Sequence, residues 1–172
     1  RNPAYNETQL RIEFIDPFFE ALGWDVANKA GYAEQYKDVV HEDAIKVAGA
    51  TKAPDYCFRI GGVRKFFLET KKPAVVIKDQ ISPAYQLRRY AWSAKLPLSI
   101  LTNFEELAIY DCRPRPKPTA KCQYIGYPDV SEHRLPLMSF FVSIHRLPWT
   151  EIGVMIFRKS PFQEVIRWTR KL

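Results

Sequence analysis

The central stretch of the chain, residues 54–71, reads PDYCFRIGGVRKFFLETK. Two apolar runs flank the pair Gly61-Gly62, and a glycine pair between such runs is a strong signal for a β-hairpin. The sequence therefore predicts one strand that ends at Ile60 and a second strand that begins at Val63. This hairpin decides the fold and the site, because it brings the charged residues at its two open ends next to each other.

The length of the turn sets which residues pair across the hairpin. A two-residue turn pairs Asp55 with Leu68, whereas a three-residue loop through Val63 with a glycine bulge pairs Asp55 with Glu69. The hydrophobic pattern selects between such registers. The second register gives one apolar face, on which Phe58 pairs with Phe66 and Tyr56 with Leu68. We therefore predict the second register.

In this register Asp55, Glu69 and Lys71 share the other face, because residues two apart on a strand point to the same side. Two carboxylates directly across a strand pair repel each other, and a hard divalent cation such as Mg²⁺, or Mn²⁺ in its place, offsets the repulsion. Mg²⁺ keeps several waters, so two carboxylates suffice to hold it over a phosphate. It acidifies a bound water, which Lys71 can orient. The pattern indicates phosphodiester hydrolysis, although an ordinary strand pair with an exposed charged cluster has the same spacing.

Further elements are predicted on both sides of the hairpin. Residues 6–9 have the pattern of a capping box at the start of a helix, which Pro17 kinks or divides. A second helix is predicted over residues 83–95, and short apolar strands over 98–101 and 107–111. This order of elements indicates an α/β or α+β fold in which a mixed β-sheet is flanked by helices.

The charge is distributed unevenly along the chain. Residues 1–112 contain 15 Lys and Arg and 15 Asp and Glu, whereas residues 113–172 contain 11 and 4, which gives the whole net charge of +7. The second segment also holds 7 of the 13 prolines. We therefore predict a compact domain over residues 1–112 and a basic, proline-rich extension over residues 113–172, which begins with an extended linker at 113–118.

Several classes of protein are excluded by what the sequence lacks. It has no G-x-x-x-x-G-K-[ST] loop, so we expect no ATP site in this chain, and no G-x-G-x-x-G motif for a dinucleotide. It has no apolar run of membrane-spanning length, so we expect no membrane association. Its three cysteines are odd in number and widely spaced, which indicates reduced thiols and a cytoplasmic location. They are Cys57, Cys112 and Cys122.

Five groups of short segments occur in an order typical of one known family. They are NET (6–8) with LGW (22–24), APDY (53–56), FLETKKP (67–73), QLRRY (86–90) and LTN (101–103). Together they resemble the PD-(D/E)xK nuclease domain of restriction enzymes. The similarity is to the N-terminal domain of type I restriction enzyme R subunits and to type IIG restriction–modification proteins. It implies a restriction-endonuclease-like core over about residues 5–112, and we expect no match to this family from about residue 119 onward.

The resemblance implies roles for individual residues. Asp55 and Glu69 correspond to the metal-binding carboxylates of the family, and Lys71 corresponds to its catalytic lysine. Glu7 matches an acidic residue of the first helix that often joins the metal site. The alternative for Glu7 is a carboxylate that complements the dipole at a helix N-terminus.

The resemblance also assigns the QLRRY segment. Gln86 and Tyr90 match the Q-x-x-x-Y element of RecB-like members, and their spacing of four places them on one face of a helix. Their alternatives are a solvent-facing residue and a core aromatic residue, respectively. Lys72, Arg88 and Arg89 are candidate contacts to DNA phosphates, with surface solubility as the alternative.

The function implied by the resemblance is that of a Mg²⁺-dependent DNA endonuclease domain of a restriction–modification system. Its substrate is double-stranded DNA, and it relies on motor, methyltransferase or specificity domains or subunits elsewhere. Two alternatives stay open at this point. One is a non-catalytic module with a nuclease-like fold that docks on DNA or on a subunit, and the other is a repair or mobile-element nuclease.

Overall fold

The computed structural model describes residues 5–77 and 80–119, together with the backbone of residues 135–136. The helices are α1 (Glu7–Leu10), α2 (Asp16–Ala21) and α3 (Ile81–Ser93), with a π turn at Arg11–Ile15 and a 3₁₀ turn at Glu34–Tyr36. The strands are β1 (Val39–His41), β2 (Ile45–Val47), β3 (Ala50–Lys52), β4 (Tyr56–Ile60), β5 (Val63–Thr70), β6 (Leu98–Thr102), β7 (Glu106–Asp111) and β8 (Leu135–Pro136).

Within the described residues, six strands form one mixed sheet in the order β1-β4-β5-β6-β7-β8. Strands β5 and β6 run parallel and are connected by helix α3, whereas every other pair of adjacent strands in this described sheet is antiparallel. Strands β2 and β3 form a separate two-stranded sheet. The predicted mixed sheet flanked by helices is thereby confirmed.

The sheet carries a helical layer on each face, because side chains alternate along its strands. On one face Tyr56 and Phe66 belong to a buried cluster with Phe18 of α2. On the other face Phe67 belongs to a second cluster with Leu87 of α3. The hairpin is therefore buried on both sides over most of its length, and Asp55 and Glu69 lie at its open end.

The register of the hairpin is the predicted one, but its cause differs. Gly61-Gly62 form a two-residue turn with φ angles of +57° and +80°, closed by the pair Ile60 and Val63. The prediction of a three-residue loop was therefore wrong. The register shifts instead at an irregularity beside Phe58, where Lys65 of β5 is the extra residue. Beyond the bulge the predicted pairs form, namely Tyr56 with Leu68 and Phe58 with Phe66.

The first helix is divided as predicted. Asn6 and Gln9 form the capping box, with the Asn6 side chain accepting the Gln9 N–H at 2.8 Å. The α-helical pattern then widens into the π turn, in which the Asp16 N–H donates to the Arg11 carbonyl. Pro17 follows directly. Because proline has no N–H and its ring clashes with a carbonyl of the preceding turn, a regular helix cannot pass this position unchanged.

Part of the predicted extension packs on the sheet. Residues 113–119 contain neither helix nor strand, as expected for an extended linker, and the backbone of β8 pairs with β7. The remainder of the predicted extension lies outside the described residues, so the boundary at residue 112 stays a prediction.

In the described part of the chain, no helix has both the length and the apolar character to cross a membrane.

Candidate active site

Asp55 lies directly before β4, beside the end of β5. Its Oδ2 accepts the backbone N–H and the hydroxyl of Thr70, both at 2.7 Å. Its Oδ1 lies 3.6 Å from Nη1 of Arg11. The carboxylate thus bends over the end of the strand toward Thr70, and both of its oxygens are engaged by protein groups.

Glu69 and Lys71 lie at the end of β5, with Lys71 Nζ 3.1 Å from Glu69 Oε1. Burial raises the pKa of Glu69, and the charge of Asp55 raises it further, against the opposing effect of Lys71. Burial lowers the pKa of Lys71, but the charges of Glu69, Glu7 and Asp55 outweigh burial, and the net shift is upward. Lys71 is therefore an ammonium ion held among carboxylates.

The residues of the predicted triad do lie at one end of the hairpin and influence one another electrostatically. Among the described residues, no group of three or more His, Cys, Asp or Glu side chains is arranged to hold a metal ion. Asp55 and Glu69 offer oxygen ligands of the kind that Mg²⁺ prefers, and Mg²⁺ usually retains several waters beside one or two carboxylates. The donor set fits a hard divalent cation bound by these two side chains and by water.

Glu7 reaches the same region from the first turn of α1. Its Oε1 accepts the backbone N–H of Lys72 at 3.3 Å, and its charge contributes to the raised pKa of Lys71. Glu7 thus ties the first helix to the segment after β5. Its predicted place among the metal ligands stays a prediction, and its position in a first helical turn also suits the dipole alternative.

The two residues of the Q-x-x-x-Y element differ in burial. Tyr90 is buried in α3 with 6% exposure. Burial raises its pKa, the charge of Glu69 raises it further, and Arg89 and Lys71 oppose the rise. Tyr90 therefore lies within electrostatic range of the Glu69–Lys71 pair, whereas Gln86 is exposed on the same helix.

The three predicted phosphate contacts also differ. Lys72 and Arg89 are exposed, and Arg89 lies over the ring of Tyr85 at 5.7 Å. The prediction that Arg88 contacts a DNA phosphate was wrong. Arg88 is only 1% exposed, because its position in α3 faces the sheet, and it is not available to a phosphate in this structure.

Arg88 instead binds backbone carbonyls of two chain segments and lies over the ring of Tyr110. Its guanidinium donates to the carbonyls of Ala84, at 3.1 Å, and Lys117, at 3.0 Å, and also to that of Thr119. It lies over the Tyr110 ring at 5.2 Å from the centroid. Arg88 therefore fixes residues 117–119 against α3 and β7.

Sequence reasoning missed Arg11 and Thr70, the two residues that hold Asp55. Both contacts are long-range, so no local motif marks them. Pro17 indicates that the helix carrying Arg11 is disturbed, but it does not indicate a contact between Arg11 and Asp55. Asp16, which precedes Pro17, makes a second contact between the first helix and the start of β4. Its Oδ1 accepts a hydrogen bond from the hydroxyl of Tyr56 at 2.6 Å.

A known protein family matches the part of the chain that contains this site. Residues 37–118 match the family described as Type I restriction enzyme R protein N terminus. This part of the chain is therefore similar to the N-terminal domain of restriction enzymes. The resemblance to such a domain is thereby confirmed.

The chain is also similar to a curated relative, the Type II restriction enzyme and methyltransferase RM.Eco57I of Escherichia coli. The two are 43% identical over 164 residues, which is 94% of this chain and 15% of the relative. This match extends well past residue 119, whereas the family match ends at residue 118. The expectation of no family match from about residue 119 therefore agrees with the family match, but the similarity to this relative continues beyond that point. A solved structure, the type IIG restriction endonuclease BpuSI, aligns with a TM-score of 0.48 at 16% identity, over 94% of this chain and 17% of that one.

Proposed function

We propose that this chain is a Mg²⁺-dependent DNA endonuclease domain of a restriction–modification system, with Mn²⁺ as an alternative metal. The observation that carries the proposal is the gathering of Asp55, Glu69 and Lys71 at one end of the β4–β5 hairpin. Two carboxylates beside a half-buried ammonium suit phosphodiester hydrolysis, which needs a cation site and a group to orient water. The family match of residues 37–118 supports the same reaction class.

In this proposal Asp55 and Glu69 hold the cation. When bound, the cation acidifies a coordinated water and neutralises charge on the phosphate oxygens. Lys71 orients the attacking water and stabilises the negative charge that develops on the phosphoryl oxygens. Water attacks phosphorus in line and gives up one proton to solvent, while the bond to the leaving oxygen breaks and that oxygen takes up a proton from solvent.

The proposed substrate is double-stranded DNA, with Lys72 and Arg89 as exposed contacts to its phosphates. The chain spans 15% of the relative named as a restriction enzyme and methyltransferase. We therefore propose that DNA recognition, methylation or translocation reside in other domains or subunits. We propose the cytoplasm as its compartment, since Cys57 and Cys112 are free thiols.

The test compares Asp55→Asn and Lys71→Met with wild type in a plasmid-nicking assay with Mg²⁺, Mn²⁺ or EDTA. We expect both substitutions to reduce nicking by about 100-fold or more. Glu34→Gln is the matched control, because Glu34 is a carboxylate in an exposed ion pair with Lys37, and this variant should nick like wild type.

Calorimetry with Mg²⁺ separates a nuclease from a docking module. Wild type should bind the ion, and Asp55→Asn should bind it far more weakly. A wild type that binds no divalent ion would favour the non-catalytic alternative. Undiminished nicking by both site variants would contradict the assignment of the residues.

A further inference from the structure

The π turn at Arg11–Ile15 connects the first helix to the start of β4 at two consecutive positions. Arg11, the first residue of the turn, pairs with Asp55 at 3.6 Å. Asp16, the residue after the turn, accepts the hydroxyl of Tyr56 at 2.6 Å. π turns occur often at functional sites, and this one places a guanidinium beside a proposed metal ligand.

The two oxygens of Asp55 are not equivalent. Oδ2 accepts two hydrogen bonds of 2.7 Å from Thr70, so a cation there would compete with both. Oδ1 faces Arg11 at 3.6 Å, which is longer than a close charge-assisted hydrogen bond. Oδ1 is therefore the oxygen at which a cation meets the weakest competition, and Arg11 is the group that it would displace.

A displaced guanidinium remains close to the site. The side chain of Arg11 is 24% exposed and that of Asp55 is 23% exposed, so their contact is half-buried and keeps a side that faces solvent. Arginine presents five N–H donors in a planar fork that matches a phosphate. Lys71, the other cation within the site, is already paired with Glu69 at 3.1 Å.

We propose that Arg11 is a substrate-contacting residue of this site. Its guanidinium neutralises Asp55 while no metal is bound, and it turns to a DNA phosphate when a divalent cation takes Oδ1. This inference rests on the proposed nuclease function. It adds to that function a residue that couples the binding of the divalent cation to the binding of DNA.

The first test measures DNA binding without cleavage, with a short duplex oligonucleotide in Ca²⁺ across a salt series. Arg11→Gln should weaken binding by about 5- to 50-fold and reduce the slope of log Kd against log salt by about one. Arg11→Lys should recover part of the affinity, because it keeps the charge but loses the fork. The matched control is Arg113→Gln, which breaks an exposed pair with Asp111 and should leave affinity and slope unchanged.

The second test measures Mg²⁺ binding by calorimetry without DNA. Arg11→Gln should bind the ion as tightly as wild type or up to about 10-fold more tightly, because the competing guanidinium is gone. Loss of metal affinity without loss of DNA affinity would overturn the proposal and make Arg11 a residue that only positions Asp55. The proposal is equally overturned if Arg11→Gln matches Arg113→Gln in DNA binding while wild type binds both ligands.

Failure of the proposed function has a different outcome. Wild type would then bind no metal, or would bind metal without cleaving DNA in Mg²⁺. Thermal unfolding of each variant shows that the change in binding is not a loss of folded protein. Both Arg11→Gln and Arg11→Lys are measured, because the change in binding is assigned to the guanidinium only when both variants keep the first helix in place.

Discussion

Asp55 is held by a single residue of the neighbouring strand, because Thr70 donates both its backbone N–H and its hydroxyl to Asp55 Oδ2 at 2.7 Å. The residues are 15 positions apart and meet because the hairpin places the start of β4 beside the end of β5. Thr70 is fully buried, so water cannot replace its hydroxyl. Hydrogen bonds to a ligand side chain fix its orientation and tune its affinity for metal.

Replacing Thr70 by valine tests this contact, because valine keeps the shape and removes the hydroxyl. We expect about a 10- to 100-fold loss of Mg²⁺ affinity and a parallel loss of nicking activity. Thr70→Ser should restore most of both, since it retains the donor. Calorimetry and the nicking assay measure the effects, and a valine variant that equals wild type in metal binding would refute this role.

A largely buried cluster of one carboxylate and two guanidinium groups beside β4 should dominate a different property, the free energy of unfolding. Asp43 accepts a bond from Arg59 at 2.7 Å and two from Arg64 at 2.7 and 3.0 Å. Asp43→Asn leaves two guanidinium groups without their carboxylate and should cost about 3 kcal/mol. Glu34→Gln breaks an exposed pair and should cost less than about 1 kcal/mol. Urea unfolding compares them, and equal losses would contradict the expectation.

The same carboxylate gives stability a defined dependence on pH. Burial by itself raises the pKa of Asp43, but the hydrogen bonds from Arg64, Arg59 and Cys57 together outweigh it and lower the pKa from 3.8 to about 2. A carboxyl group with a lower pKa in the folded state stabilises it above the unfolded pKa, and this stabilisation is lost as the pH falls through the folded pKa. The difference in unfolding free energy between wild type and Asp43→Asn should therefore shrink between about pH 4 and pH 2. A constant difference across this window would contradict the assignment.

The two glycines of the hairpin turn should differ in their tolerance of alanine. Both have positive φ, but a Cβ on Gly62 would meet the carbonyl oxygen of Gln35 at 2.8 Å, whereas one on Gly61 has nothing within 4 Å. Gly61→Ala should cost about 1 kcal/mol for the left-handed backbone alone. Gly62→Ala should cost about 2–3 kcal/mol, because strain of the backbone adds to the clash. Thermal unfolding measures both, and a smaller loss for Gly62 would show that the turn shifts freely.

Two adjacent arginines of α3 form a further matched pair. Arg88 is buried with carbonyl partners from residues 84, 117 and 119, whereas Arg89 is exposed. Arg88→Met should lower the free energy of unfolding by about 2–3 kcal/mol, since the buried carbonyl of Ala84 and the partly buried carbonyls of residues 117 and 119 lose a charged donor. Arg89→Met should change it by less than about 0.5 kcal/mol. Equal stability of the two variants would mean that Arg88 does not hold residues 117–119.

The sequence carried most of the information about the hairpin and its charged end. The alternation of apolar residues identified both strands, and the requirement for one apolar face selected the correct register. The cause of the register was missed, because an extra residue inside a strand leaves no mark in composition. Lys65 carries the shift, and nothing distinguishes it from an ordinary strand lysine.

Other parts of the site could not be predicted, because they depend on which elements pack together. Arg88 and Arg89 are the same residue type in the same motif, and only the packing of α3 on the sheet separates a buried role from an exposed one. Arg11 and Thr70 contact Asp55 across 44 and 15 positions of sequence. Such contacts follow from the assembled fold rather than from local spacing.

The π turn ahead of Pro17 determines which side of the first helical turn faces the sheet. A helical residue advances by about 100° around the axis, so a chain with one residue fewer between 11 and 15 would present a different side of its first turn to the sheet. Glu7 would then rotate away from Lys72, and the acidic and basic groups of this helix would no longer face the same strand end. In an alignment of homologues, we expect a gap of a single residue here wherever position 17 is not proline.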